Sequence, residues 1–136
     1  MALNWDDSLL VGNTEIDDQH RQIFVHFERL SLACQEKAGE LAIKEILNFM
    51  NEYVEMHFSL EEAFMAENRY PKLPEQQEQH AHFRQTVKEL QEVDTNTLEP
   101  HRLSLLFYQK LIQWFIQHIK KLDQEMITYV WAQQHN

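Results

Sequence analysis

Apolar side chains in this chain recur every three or four residues, which is the spacing of one face of an α-helix. The clearest stripe comprises Ile43, Ile46, Leu47, Met50, Tyr53, Val54, Phe64 and Met65. Stripes of this kind predict four helices, over about 17–37, 40–67, 75–93 and 98–132. Asp17 or Asp18 is expected to cap the first helix, since either carboxylate can accept a hydrogen bond from the backbone there.

Short segments that cannot continue a helix join the predicted helices. Gly39 separates the first two helices, two prolines exclude a helix across 68–74, and residues 94–97 form a polar turn. Short connections place successive helices antiparallel. The sequence therefore predicts an all-α protein, an up-down-up-down four-helix bundle in one domain over 1–136, with an N-terminal non-helical arm over about 1–17.

The composition indicates which partners and which cellular compartment to expect for this bundle. The chain has 12 basic and 22 acidic residues, and its net charge of −10 argues against nucleic acid and anionic membranes as partners. Cys34 is the single cysteine, so the chain cannot form an internal disulfide. We find neither a signal peptide nor an apolar run of about 20 residues. We expect a cytoplasmic monomer that does not insert into membranes.

Polar residues interrupt the apolar stripes at positions that should face the core. His57 and Glu61 lie four residues apart and therefore share the inner face of the second helix. His20, His80 and His118 lie on the inner stripes of the other three helices. Each of the four predicted helices thus turns at least one potential metal ligand inward.

Asp123 adds a second carboxylate to this set. It follows His118 by five residues, about 140° around an α-helix, so the two side chains are predicted to flank a point rather than to stack. A lone histidine on an apolar face is usually a hydrogen-bonded core residue, and a metal-free bundle is the plain alternative. Burying four histidines and two carboxylates without a cation would, however, cost about 1–3 kcal/mol or more for each unpartnered group. These four histidines and two carboxylates therefore favour a bound metal such as iron, zinc, copper or manganese.

The remaining histidines are predicted to lie on the surface: His26, His82, His101 and His135.

Several segments of the chain resemble the bacterial hemerythrins in order and spacing. They are residues 5–12, 16–20, 57–65, 70–71, 80–83 and 114–123. The family binds dioxygen reversibly at a non-haem di-iron centre. The resemblance therefore implies two iron ions (Fe²⁺/Fe³⁺) joined by an oxo or hydroxo bridge, with dioxygen as the ligand.

The resemblance also implies a role for each inward polar residue. The implied metal ligands are His20, His57, Glu61, His80, His118 and Asp123. The histidines of the first and second helices would hold the iron that binds dioxygen. Those of the third and fourth helices would hold the other iron, and the two carboxylates would bridge the ions.

The chain departs from the family at one position of the third helix. Family members usually carry a histidine four residues before His80, where this chain has Gln76. Gln76 is predicted to ligate iron through its side-chain oxygen, to hydrogen-bond a water that fills the position, or to leave the position open. An open position would favour faster autoxidation or peroxide chemistry.

Apolar residues are expected near the dioxygen position, although packing of the core would explain them equally well. The candidates are Phe24, Phe58, Trp114, Phe115 and Ile119.

The sequence leaves three possible functions. The leading one is dioxygen binding without enzymatic turnover, for storage, delivery to oxygen-requiring enzymes or sensing. The alternatives are a di-iron enzyme acting on peroxide or nitric oxide, and an iron-handling protein in which Gln76 makes one site labile.

Overall fold

The structure is a computed structural model and describes residues 5–135. Four long helices account for most of these residues. They are α1 at Thr14–Gln35, α2 at Glu40–Glu67, α3 at Leu73–Gln91 and α4 over 100–134. Helices α1 and α3 each contact both α2 and α4, so the four helices close into a ring. This arrangement confirms the predicted four-helix bundle. None of the helices described combines the length and the apolar character that a bilayer span requires.

Helix α1 begins at Thr14, before the aspartates that were expected to cap it. Asn13 is the cap, because its side-chain oxygen accepts the N–H of Ile16 at 3.1 Å. Asparagine suits this position as well as aspartate does, since its short side chain reaches the free backbone N–H groups of the first turn. The prediction of a cap at Asp17 or Asp18 was therefore wrong.

Asp17 instead fixes the segment that leads into α1. Its buried carboxylate accepts the backbone N–H of Val11 at 2.8 Å and that of Gly12 at 3.2 Å. Gly12 has a φ of 94°, a conformation that favours glycine. The arm was predicted to be non-helical, but it contains one short 3₁₀ turn, Asp7–Leu9, which leaves residues 5–6 and 10–13 outside any helix. Residues 1–4 of the predicted arm lie outside the described residues.

Helix α3 begins two residues earlier than expected, because one of the two prolines lies inside its first turn. Pro74 follows Leu73, where its missing N–H removes no hydrogen bond from the helix. Only residues 68–72 therefore serve as the connection.

Helix α4 is continuous but not regular. Its α-helical stretches are Pro100–Phe107, Gln113–His118 and Gln124–Gln134. Two π-helical turns, Tyr108–Ile112 and Ile119–Asp123, separate them. In each turn a backbone hydrogen bond spans five residues instead of four, so the turn accommodates one extra residue. The second π turn lies directly after His118 and sets the geometry of the site described below.

The core consists of two apolar clusters with a polar layer between them. The larger cluster includes the fully buried Phe27, Leu47, Phe83 and Phe115. The smaller cluster comprises Ile16, Met65, Tyr70 and Met126. The buried histidines and carboxylates lie near the boundary between these clusters. His20, for example, lies between Ile16 of the smaller cluster and Phe27 of the larger one.

We predict that Asp17→Ala lowers the free energy of unfolding by about 1.5–3 kcal/mol, because two backbone N–H groups lose a charged acceptor. Asp18→Ala is the matched control, since the Asp18 side chain is 65% exposed and forms an ion pair with the exposed Arg21. The control should change stability by no more than about 0.5 kcal/mol. Denaturant unfolding of both variants checks this, and equal losses would contradict the role assigned to Asp17.

Candidate metal centre

Six polar side chains from the four helices converge in the layer between the apolar clusters. All are at most 3% exposed: His20, His57, Glu61, His80, His118 and Asp123. These are the residues that the sequence singled out. The four histidines predicted to lie on the surface are outside this layer. His26 is half-buried, and the others are exposed: His82, His101 and His135.

Glu61 lies between two pairs of histidines. Its Oε2 atom lies 3.2 Å from Nε2 of His57 and 3.7 Å from Nε2 of His20. Its Oε1 atom lies 3.2 Å from Nε2 of His80 and 3.9 Å from Nε2 of His118. Each carboxylate oxygen therefore faces one histidine pair.

Asp123 spans the same two pairs. Its Oδ2 atom lies 3.3 Å from Nε2 of His20, and its Oδ1 atom lies 3.3 Å from Nε2 of His118. Glu61 and Asp123 therefore each reach from the His20–His57 pair to the His80–His118 pair. This arrangement suits two cations that share both carboxylates.

The π turn in α4 brings His118 and Asp123 onto one side of the helix. Spacing in a regular α-helix predicted an angle of about 140° between them. The turn Ile119–Asp123 adds one residue, so a separation of five residues acts as a separation of four does in an α-helix. The two side chains therefore meet, which the sequence prediction did not foresee.

Several ligand atoms in the layer have no hydrogen-bond partner within the described residues. They include both oxygens of Glu61, Oδ2 of Asp123, and Nε2 of His80 and His118. The atoms approach one another closely without hydrogen-bonding geometry, because they point toward common points rather than at each other. One group of ligand atoms within 4.8 Å of one another comes from His20, His57, Glu61 and Asp123, and another from Glu61, His80 and His118. Imidazole nitrogens with carboxylate oxygens suit iron and similar metals, so the residues fit two ions.

Protons offset the carboxylate charge when no metal is bound. Burial lowers the pKa of His20, but the nearby carboxylates of Asp123 and Glu61 outweigh this effect and raise the pKa to about 9. Burial likewise lowers the pKa of His118, but the nearby negative charge of Asp123 outweighs this effect and raises the pKa to about 10. Burial alone would raise the pKa of Glu61 and Asp123, yet the surrounding histidines hold both below their ordinary values. The metal-free centre is therefore built around imidazolium–carboxylate pairs.

Two residues that the sequence analysis did not identify orient the histidines. Nδ1 of His57 donates to Oε1 of Gln19 at 2.7 Å, and Nδ1 of His80 donates to Oε2 of Glu62 at 2.7 Å. Because Nδ1 is engaged with these acceptors, Nε2 of each ring is the atom that faces the centre and could bind a metal. Gln19 directly precedes His20 in the sequence, and Glu62 directly follows Glu61. This adjacency to predicted ligands was the only sequence signal for them.

Gln76 reaches the centre from α3. It is 1% exposed, and its Nε2 donates to Oδ1 of Asp123 at 3.0 Å. That oxygen is the one that faces His118, so Gln76 belongs to the His80–His118 side. Its Oε1 atom is buried and has no hydrogen-bond partner among the described residues, which leaves it free to act as a ligand atom.

The predicted apolar residues surround both histidine pairs rather than one. The Phe115 ring lies 5.8 Å from that of His20 and 6.2 Å from that of His57. Phe58 stacks on His80 with ring centres 3.8 Å apart, and Trp114 stacks on His118 at 4.8 Å. Phe58 turns toward α3 because it follows His57 by one residue, about 100° around α2.

The other two predicted pocket residues are also buried. Phe24 contacts Phe27 with ring centres 5.5 Å apart and lies next to the arm through Trp5 at 5.6 Å. Ile119 is fully buried at the start of the second π turn. All five predicted apolar residues except Trp114 are therefore buried in the core, and Trp114 is half-buried.

Comparison with known proteins agrees with this site. The sequence model described as Hemerythrin HHE cation binding domain matches residues 11–130. A hemerythrin-like protein of Naegleria gruberi is 31% identical over 120 residues, which cover 88% of this chain and 87% of that protein. A bacteriohemerythrin of Stenotrophomonas maltophilia is 30% identical over 130 residues, covering 96% of this chain and 82% of that protein. A myohemerythrin of Riftia pachyptila is 26% identical over 119 residues, covering 88% and 86% of the two chains.

We predict that loading the metal-free protein with Zn²⁺ at pH 7.5 releases about two protons, because His20 and His118 are protonated there and must lose their protons to bind metal. A pH indicator in weakly buffered solution measures the release. His118→Gln should release about one proton fewer, whereas the exposed His101→Ala should behave as the unchanged protein does. A release that His118→Gln leaves unaltered would contradict the protonation described here.

Proposed function

The chain belongs to the hemerythrin family, and on that premise we propose that it binds dioxygen reversibly at a non-haem di-iron centre. The observation that supports this proposal most directly is the sharing of both Glu61 and Asp123 between two histidine pairs. Bound iron would supply the electrons that dioxygen takes up on binding and returns on release. The protein's own part is to hold two ions close together and to exclude water from them.

The iron held by His20 and His57 is the proposed site of dioxygen binding. Gln76 hydrogen-bonds the oxygen of Asp123 that faces His118, so it adds a potential ligand to the His80–His118 side. Phe115 lies beside both of these histidines and keeps the surroundings apolar. An apolar setting favours a small uncharged ligand over a bulky polar one. Storage, delivery to oxygen-requiring enzymes and sensing are all consistent with such a site.

A second candidate function is enzymatic turnover of peroxide or nitric oxide. A surface cavity of about 260 Å³ opens beside His118 and is lined by Gln79, Trp114, Gln117, Lys121 and Leu122. It would give a small molecule a route toward the His80–His118 side, where Gln76 replaces the usual histidine. Turnover that His57→Ala abolishes would support this function. Loss of a single ion during dialysis against a chelator would instead support iron handling.

We predict that the iron-reconstituted, reduced protein develops a visible charge-transfer band in air and loses it when the air is removed. His57→Ala should abolish the band, since it removes a ligand from the proposed dioxygen site. His101→Ala should leave the band unchanged, since His101 is exposed and remote from the centre. Irreversible conversion of the unchanged protein to a ferric form without such a band would overturn the dioxygen proposal.

We also predict that Gln76→His slows autoxidation of the air-exposed protein severalfold, because imidazole is a better ligand for iron than an amide oxygen. Gln77→His is the matched control, since it adds a histidine to the same helix at an exposed position. The decay of the visible band over time measures the rate. Equal rates in the unchanged protein and Gln76→His would show that Gln76 does not limit the lifetime of the dioxygen complex.

A further inference from the structure

The two histidine pairs differ in the charge of the residue that accepts a hydrogen bond from Nδ1, the outer ring nitrogen, which points away from the centre. In one pair, the outer nitrogen of His57 donates to the neutral amide of Gln19 at 2.7 Å. In the other, the outer nitrogen of His80 donates to the carboxylate of Glu62 at the same distance. The Nδ1 atoms of His20 and His118 have no hydrogen-bond partner within the described residues. Each pair therefore has two histidines beside the shared carboxylates, but the groups that accept hydrogen bonds from the histidines differ in charge.

A second residue of α3, Arg84, also approaches the carboxylate of Glu62. The guanidinium of Arg84 lies 3.9 Å from Oε2 of Glu62 and also hydrogen-bonds Glu55. It lies 5.6 Å from the centre of the Phe58 ring, which in turn stacks on His80. The carboxylate is only 22% exposed. His80 and Arg84 therefore both approach the same oxygen of Glu62 from α3.

We propose that Glu62 is a positioning residue that strengthens His80 as a metal ligand and so offsets the amide of Gln76 on the same side. A carboxylate that accepts the Nδ1 proton makes Nε2 a better electron donor than a neutral acceptor does. Gln76 offers an amide oxygen, a weaker donor than the imidazole that the family usually has there. The charged hydrogen-bond acceptor, Glu62, therefore belongs to the histidine pair whose additional ligand, Gln76, is the weaker donor. This inference rests on the proposed metal centre.

Glu62→Gln tests the charge of the acceptor with little change in its size. Titration of the metal-free protein with Co²⁺ in competition with a chelator, followed by the visible absorption of the bound ion, gives the affinity of each ion. We expect one of the two ions to bind about 10–100-fold more weakly in the variant and the other to be unchanged. Glu55→Gln is the matched control, because it removes the same charge from the other partner of Arg84 without contact to His80. It should leave both affinities unchanged.

A second variant separates this role from a general effect on folding. In Glu62→Gln combined with Gln76→His, the affinity of the weakened ion should return to that of the unchanged protein, since an imidazole replaces the amide. The thermal unfolding of the metal-free Glu62→Gln protein should match that of Glu55→Gln. Equal weakening of both ions, or no rescue by Gln76→His, would overturn the inference.

The same titration distinguishes this inference from the proposed function. If the unchanged protein binds two Co²⁺ ions and Glu62→Gln binds them equally well, the role of Glu62 is wrong and the centre stands. If the unchanged protein does not bind two ions, both proposals fail. If it binds two ions with the predicted dependence on Glu62 but shows no reversible dioxygen band, the inference holds and the dioxygen proposal fails.

Discussion

Two carboxylates are buried side by side in this bundle, and their mutual repulsion is the constraint that the surrounding structure must offset. Glu61 raises the pKa of Asp123 by its charge, yet neighbouring histidines hold the pKa of both carboxyls below the ordinary value. A buried anion requires positive charge close to it. The bundle meets this need by directing one histidine from each helix at the carboxylates. Protons on His20 and His118 provide the charge without metal, and two metal ions would provide it in their place.

Helix handedness explains why His80 is fixed so firmly. On α2 the residue after each inward ligand is turned by about 100° toward α3. Phe58, after His57, meets the face of the His80 ring, while Glu62, after Glu61, meets its outer nitrogen. One helix therefore fixes both the plane of a ring on its neighbour and its rotation within that plane. Two successive turns of α2 therefore carry both its own inward polar residues and the two residues that contact His80.

Helical spacing was sufficient to predict much of this structure. The bounds of α2 and the inward direction of the four histidines and Glu61 followed from the apolar stripes, because a helix repeats its faces regularly. The direction of Asp123 did not follow from helical spacing. The π turn after His118 did not follow, since no local pattern distinguishes a turn of five residues from one of four. Gln19 and Glu62 lie beside the inner stripes, and their partners are on other helices. Spacing along one helix cannot reveal such contacts.

The polar layer divides the core unequally, and this division bears on how ions enter a site that is closed to solvent. The cluster of Ile16, Met65, Tyr70 and Met126 buries much less apolar surface than the cluster on the other side. Local opening costs the least free energy where the fewest apolar contacts must separate. The end of the bundle closed by this smaller cluster can therefore open while the larger cluster stays folded. Amide hydrogens there should exchange with solvent ahead of those around Leu47, and bound metal would slow that exchange by joining the helices across the layer.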